Sequence, residues 1–209
     1  MQKRKMSFYI VIAILCIVFA VSVFMFGKEL WQRQQEQAEF EKLAAFVNTS
    51  EHKRDISGLQ MQNPDCVGWV YIADSTINYP VMHTPWQPEK YLNLNFEGQY
   101  SYSGVPFLDY GCSLESNNLI IYGHNMKNGT MFSDLRKYLD EEFRSSHLTI
   151  EFETAEGCSY YTVTDVRNVH NTDDWYANLK PKDGKEYLTL STCYGATKSD
   201  RLIVIAEKN

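Results

Sequence analysis

YLTLSTCYGATKSDRLIVIA, residues 187–206, is the stretch that decides the fold. Two short apolar runs rich in β-branched residues, Tyr187 to Leu190 and Leu202 to Ala206, stand on either side of a polar loop containing a glycine, which reads as two strands joined as a hairpin. The first run continues through Thr189-Leu190-Ser191-Thr192-Cys193 into the loop Tyr194 to Ser199. Cys193 therefore sits where a strand gives way to a loop, a common station for a reactive side chain on a rigid support. Arg201, eight positions further on, opens the second run, and a hairpin would return it to the cysteine.

Upstream, the same punctuation recurs. Gly68 to Ile72 and Ile77 to Val81 flank the turn residues Ala73 to Thr76, and Val105 to Leu108, Leu119 to Tyr122, Leu148 to Phe152 and Tyr160 to Val166 supply four more short runs. Eight short strands separated by turns predict a mainly β domain, a closed or nearly closed barrel. One helical insert is expected over Thr130 to Arg144, with Met131, Leu135, Tyr138 and Leu139 on one face.

The N-terminal third has a different texture. Ser7 to Phe26 is 20 residues without a charge, and at about 1.5 Å per residue it matches the roughly 30 Å hydrocarbon core of a bilayer. It is read as a transmembrane anchor rather than a cleaved signal, whose apolar run is usually about 7 to 15 residues. Lys3, Arg4 and Lys5 precede the run, so the positive-inside rule places the N-terminus in the cytoplasm and the rest of the chain outside. Trp31 to Val47 is rich in Gln, Glu, Lys and Ala, with Phe40, Leu43, Ala44 and Val47 at helical spacing, and Asn63-Pro64-Asp65 marks a turn. The expected organisation is a cytoplasmic tip 1–6, an anchor 7–26, a helical spacer 27–63 and a catalytic-sized domain 64–209.

Charge narrows the partners. Three of the 20 Lys and Arg and none of the 26 Asp and Glu fall before residue 27, which leaves the remainder at a net charge of −9. An acidic body without a basic stripe argues against nucleic acid. Of the five cysteines, Cys16 lies in the apolar run. Cys66, Cys112 and Cys158 leave room for one disulfide in an oxidising exterior, and the lack of any CxxC spacing argues against structural zinc.

Taken alone, Cys193 would be read as a buried strand cysteine. His124 changes the reading, because it follows the apolar run Asn118 to Tyr122 after a glycine and precedes Asn125, at another strand end. A thiol with its ordinary pKa of about 8.5 is mostly protonated near neutrality, and a nearby imidazole can take its proton or return one to a leaving amine. Arg201 offers a permanently charged planar fork suited to a developing oxyanion, the alternative being an ion pair with Asp200. His52, His83, His147 and His170 lack the strand-Gly-His-Asn setting and are read as surface or packing residues.

Thr-Leu-Ser-Thr-Cys (189 to 193), the histidine of Tyr-Gly-His-Asn (122 to 125) and the strand-opening Arg201 together resemble the sortase family. The longer text from Gly104 to Tyr110 and from Asn118 to Phe132 is similar to class B sortases, and the resemblance covers about residues 67–206. It implies the eight-stranded sortase β-barrel with peripheral helices. It also implies a membrane-anchored transpeptidase at a Gram-positive cell surface, with Cys193 as nucleophile, His124 as general acid and base and Arg201 as the oxyanion-holding group. Ser191, Thr192, Asn125 and Tyr194 are the substrate-contact candidates that flank them, and no cofactor or metal is implied. The thiolate would cleave a C-terminal sorting signal of a surface protein after Thr, and an amine of a peptidoglycan precursor or a pilin lysine would release the product. One departure stands out: class B members usually carry a long helix-bearing segment before the TLxTC strand, whereas here only His170 to Lys185 intervenes. The class preference for an Asn-Pro-x-Thr signal is therefore not carried over. A secreted Cys-His peptidase that hydrolyses the thioester, and a non-catalytic membrane-anchored β module, remain the alternatives to a transpeptidase.

Overall fold

The computed structural model describes residues 2–47, 54–171, 184–197 and 199–209. His52, the part of the spacer at 48–53 and most of the short segment before the TLxTC strand, 172–183, lie outside them. The chain divides into two units, Met1–Lys42 and Leu43–Asn209. Where the sequence predicted an anchor and a separate amphipathic helix, a single helix α1 runs over Gln2–Val47. Nothing breaks it: no proline occurs in the run, and Gly27 is tolerated alone. Within α1, Tyr9–Trp31 contains an 18-residue window of mean hydropathy 3.0 and is long and apolar enough to cross a membrane.

The second unit begins its regular structure with a short helix α2 (Ile56–Gln62), capped by the Asp55 carboxylate on the Gly58 N–H and pressing the buried Ile56 and Leu59 onto the first strand. Eight strands follow: β1 (Cys66–Tyr71), β2 (Asn78–Met82), β3 (Phe107–Leu108), β4 (Asn118–Tyr122), β5 (Thr149–Thr154), β6 (Gly157–His170), β7 (Tyr187–Cys193) and β8 (Asp200–Lys208). They close into a barrel in the order β1-β2-β3-β4-β7-β8-β6-β5, with β5 returning to β1. This is the barrel expected from the turn-punctuated runs, and closure removes the exposed edges that an open sheet would leave. The β4–β7 and β2–β3 pairs are parallel and the others antiparallel.

Inside, period-2 alternation sends Val70, Ile121, Ile150, Leu188, Leu190, Leu202 and Val204 into one apolar cluster. The expected helix over Thr130 to Arg144 is instead two pieces. Phe132–Leu139 is a 3-10 helix and α3 (Glu141–Ser146) an α-helix, divided at Asp140, whose backbone is extended and whose carboxylate accepts the Phe143 N–H at 2.9 Å. The reason for the tighter first piece is its spacing. Phe132, Leu135 and Tyr138 fall three apart, one per 3-10 turn, so all three reach the barrel interior, while Leu139 is left 43% exposed. All five cysteines are free, so the pairing that the exterior would permit is not formed.

Candidate functional site

The site is built by strand register. On β8, Leu202 and Val204 enter the interior and Ile203 and Ile205 form a second cluster on the outer face, so alternation places Arg201 outward as well. On β7, Leu188 and Leu190 point in, which leaves Ser191 and Cys193 on the outer face. Cys193 and Arg201 are direct antiparallel partners, and such partners bring their Cβ atoms within about 5 Å. The sequence placed them at the two ends of a hairpin; the structure makes them neighbours. Cys193 is exposed and Arg201 half-buried.

The third residue comes from the strand on the other side of β7. Tyr122, the last residue of β4, is level with Ser191, and His124 follows two residues further along the chain. The chain past Tyr122 is tied to β7 at three points: Gly123 N–H donates to the Ser191 carbonyl at 3.1 Å, the Thr192 hydroxyl donates to the Gly123 carbonyl at 2.7 Å, and the Asn125 amide donates to the Cys193 carbonyl at 2.8 Å. Gly123 has to be glycine, because a Cβ there would lie 2.6 Å from the ring of the fully buried Phe132. The same Phe132 donates its N–H to the His124 carbonyl at 2.9 Å. On its far side, the His124 ring bonds the Leu92 carbonyl through Nε2 at 2.9 Å. Leu92 lies in the β2–β3 connection.

The loop that separates Cys193 from Arg201 is closed on itself. Tyr194 N–H donates to the Asp200 carbonyl at 3.1 Å, and the Asp200 carboxylate accepts the Thr197 N–H at 2.8 Å, a bond that holds its pKa below the ordinary carboxylate value. Arg201 donates from Nη1 to the Asp200 main-chain oxygen at 3.0 Å, so its contact with Asp200 is to the backbone as well as through the chain.

The four flanking residues divide by burial. Thr192 is 2% exposed with its hydroxyl spent on the Gly123 seam, and Ser191 is 1% exposed with an unpartnered hydroxyl oxygen. Asn125 is tied to β7, and Tyr194 is half-buried against the interior cluster. The side chains of Thr192 and Asn125 thus brace the seam between His124 and Cys193. His147 stacks on Phe143 at 3.9 Å between centroids, as befits a packing residue, while His170 ends β6 opposite Asp200 and stands nearer the site than its sequence context indicated. The Leu92 carbonyl is the contact that sequence reading missed. A backbone acceptor in an irregular loop leaves no side-chain signal. Among the described residues, no three His, Cys, Asp or Glu side chains come together as metal ligands.

A thiol and a guanidinium paired across β7 and β8, with an imidazole just past the end of β4, have the composition needed for acyl transfer: a nucleophile, a proton carrier and a fixed positive charge for an oxyanion. Comparison with known proteins gives the family. The family described as the Sortase domain matches residues 70–209. The sortase B of Listeria monocytogenes is 37% identical over 169 residues, covering 76% of this chain and 68% of the relative. A sortase B–substrate complex from Staphylococcus aureus superposes with a TM-score of 0.74 at 27% identity, covering 86% of this chain and 98% of that one. A sortase B crystal structure complexed with triglycine gives 0.73 at 28% identity, over 85% and 98%.

Proposed function

The chain belongs to the sortase family, as a cysteine transpeptidase of the sortase B type, and from that premise we propose that Cys193, His124 and Arg201 carry its chemistry at the outer face of a cell membrane. His124 takes the Cys193 proton, and the thiolate attacks the carbonyl carbon of the Thr in a C-terminal sorting signal of a surface protein. The carbonyl oxygen becomes an oxyanion held by the Arg201 guanidinium. As the peptide C–N bond breaks, His124 returns the proton to the leaving amine and Cys193 keeps the acyl group as a thioester. A primary amine then attacks the thioester, gives a proton to His124 and leaves with the acyl group in a new amide bond, restoring the thiol. A peptidoglycan precursor is the amine donor we favour, since the relatives are of the B type and one of them is seen with triglycine. The observation that carries the reading is the direct pairing of Cys193 with Arg201 beside the strapped His124.

Anchoring follows from α1. Its Tyr9–Trp31 stretch would span the bilayer, and the Lys3-Arg4-Lys5 tip ahead of it would hold the N-terminus inside. One experiment with two arms tests both proposals. Purified full chain incubated with sorting-signal peptides should acquire the acyl mass on Cys193, and an added amine should remove it as the amide rather than as the free acid. Wall-stripped cells given the same peptide in a membrane-impermeant form should show the same adduct. Exclusive hydrolysis would return the reading to a peptidase, and labelling of the purified chain but not of cells would reverse the topology.

Arg201 gives a sharper test of the oxyanion role. Arg201→Lys keeps the charge but loses the planar fork, and loss of one oxyanion donor costs about 10²- to 10³-fold in turnover. Arg201→Lys should therefore be severely impaired and Arg201→Ala worse, with melting temperatures little changed because the guanidinium lies outside the apolar interior. Transfer rates and melting curves of the two variants decide this. A Lys variant within about threefold of the parent would remove Arg201 from the oxyanion role.

A further inference from the structure

The contact between the His124 ring and the β2–β3 connection has a chemical consequence beyond holding the ring still. We propose that the Leu92 carbonyl selects the Nε2–H tautomer of His124, and that Gly104 is the positioning residue that keeps this carbonyl in place. The inference rests on the reading of His124 as the acid–base group. A carbonyl oxygen carries no proton, so the 2.9 Å bond to Nε2 exists only with Nε2 as donor. A neutral imidazole has one N–H, which leaves Nδ1 as the bare nitrogen. Proton exchange with the thiol, the leaving amine and the incoming amine therefore runs through Nδ1.

The loop is arranged around that carbonyl. Three successive main-chain oxygens at the end of the 3-10 turn Lys90–Leu92 have three different donors: Tyr91 O accepts from Val105 N at 3.0 Å, Leu92 O from His124, and Asn93 O from Ser101 N at 3.0 Å. The two outer bonds stitch the start of the loop to its end, and the middle carbonyl is left for the histidine. Gly104 lies at the stitch. It is buried, its φ is +58°, and its N–H donates to the Ser101 hydroxyl at 3.2 Å. A Cβ there would stand 2.5 Å from Leu92 O and 2.5 Å from Tyr91 O. Both obstacles are backbone atoms, so a side chain at 104 cannot be accommodated by a rotamer change and must displace the carbonyl that His124 uses.

The full chain in detergent micelles, labelled with ¹⁵N in its five histidine rings, gives a direct measurement. Long-range proton–nitrogen correlations distinguish the two tautomers, and the His124 signals are those lost in His124→Gln. The expected spectrum, above the pH at which the ring loses its second proton, has Nε2 protonated and Nδ1 bare. A ring protonated at Nδ1, or an even mixture, overturns the proposal. In Gly104→Ala the ring should pass to a mixture of tautomers, with kcat falling about tenfold, the ratio that one lost neutral hydrogen bond produces, and KM little changed. A folded Gly104→Ala that keeps a single Nε2–H tautomer and parental turnover overturns the role of Gly104. If that variant does not fold, the parental spectrum alone decides the tautomer, and Gly104 is a folding residue and no more. A His124→Gln variant with parental turnover would sink the acid–base role whatever the spectrum shows, so the two failures are separable.

Discussion

Cys193→Ala should lose the acyl-enzyme and amine transfer entirely, a fall of about 10⁴-fold or more, while folding as the parent does. The covalent intermediate needs the sulfur atom, and nothing nearby replaces it. Ser191, the closest hydroxyl on the same strand face, is 1% exposed and cannot meet a substrate carbonyl. The fold should not register the change because Cys193 is exposed at the last position of β7, outside both apolar clusters. The other thiols provide the control. Cys66 is fully buried, and burial pushes its thiol up from the ordinary value to about 12, so at pH 8 it presents almost no thiolate to a reagent. Cys112 and Cys158 are half-buried and are raised for the same reason. A water-soluble alkylating agent, read by peptide mass mapping, should therefore modify Cys193 well before Cys66 and abolish turnover in step with that one modification. Transfer activity persisting in Cys193→Ala, or inactivation tracking Cys66, would end the covalent mechanism.

How far the sequence could be read follows from where each signal resides. Strand positions were legible because alternation and turn residues are local, and the eight runs reappear within a few residues of their expected ends. The hairpin of β7 and β8 was legible for the same reason, and it brings Cys193 to Arg201 with no long-range information needed. His124 is a different case. Its approach to β7 depends on a parallel pairing between β4 and β7, two strands separated in sequence by β5 and β6, and no local pattern encodes that pairing. The resemblance supplied it instead. The insert was misread as one α-helix because Met131, Leu135, Tyr138 and Leu139 satisfy a 3.6-residue period loosely. The competing set Phe132, Leu135 and Tyr138 satisfies a period of three, and Asp140 supplies the cap that divides the two pieces. Ser191 and Thr192 illustrate another limit. Proximity to Cys193 in sequence says nothing about which side of the strand a side chain faces, and burial assigns Thr192 to the seam instead of to solvent.

His124→Gln should retain the fold and lose turnover by about 10² to 10⁴-fold, the usual share of general acid–base catalysis. Glutamine is the informative replacement because its amide can still donate to the Leu92 carbonyl, as His124 Nε2 does, so the β2–β3 connection keeps its contact. Gly123 and Asn125 on either side keep their bonds to β7, and the main-chain bond from Phe132 to residue 124 is untouched, so the local backbone has four ties that the substitution leaves in place. What glutamine cannot do is bind and release a proton near neutral pH. Both halves of the reaction need that capacity, first to free the thiolate and protonate the leaving amine, then to deprotonate the incoming one. The two halves should accordingly slow together. Single-turnover formation of the Cys193 thioester and its discharge by a saturating amine can be timed separately by quenching and intact-mass measurement. A variant that acylates slowly but transfers at the parental rate would assign the second proton transfer to another group, with His170, which faces Asp200 across β6 and β8, the first to examine. Loss of less than about tenfold in both steps would reduce His124 to a positioning residue.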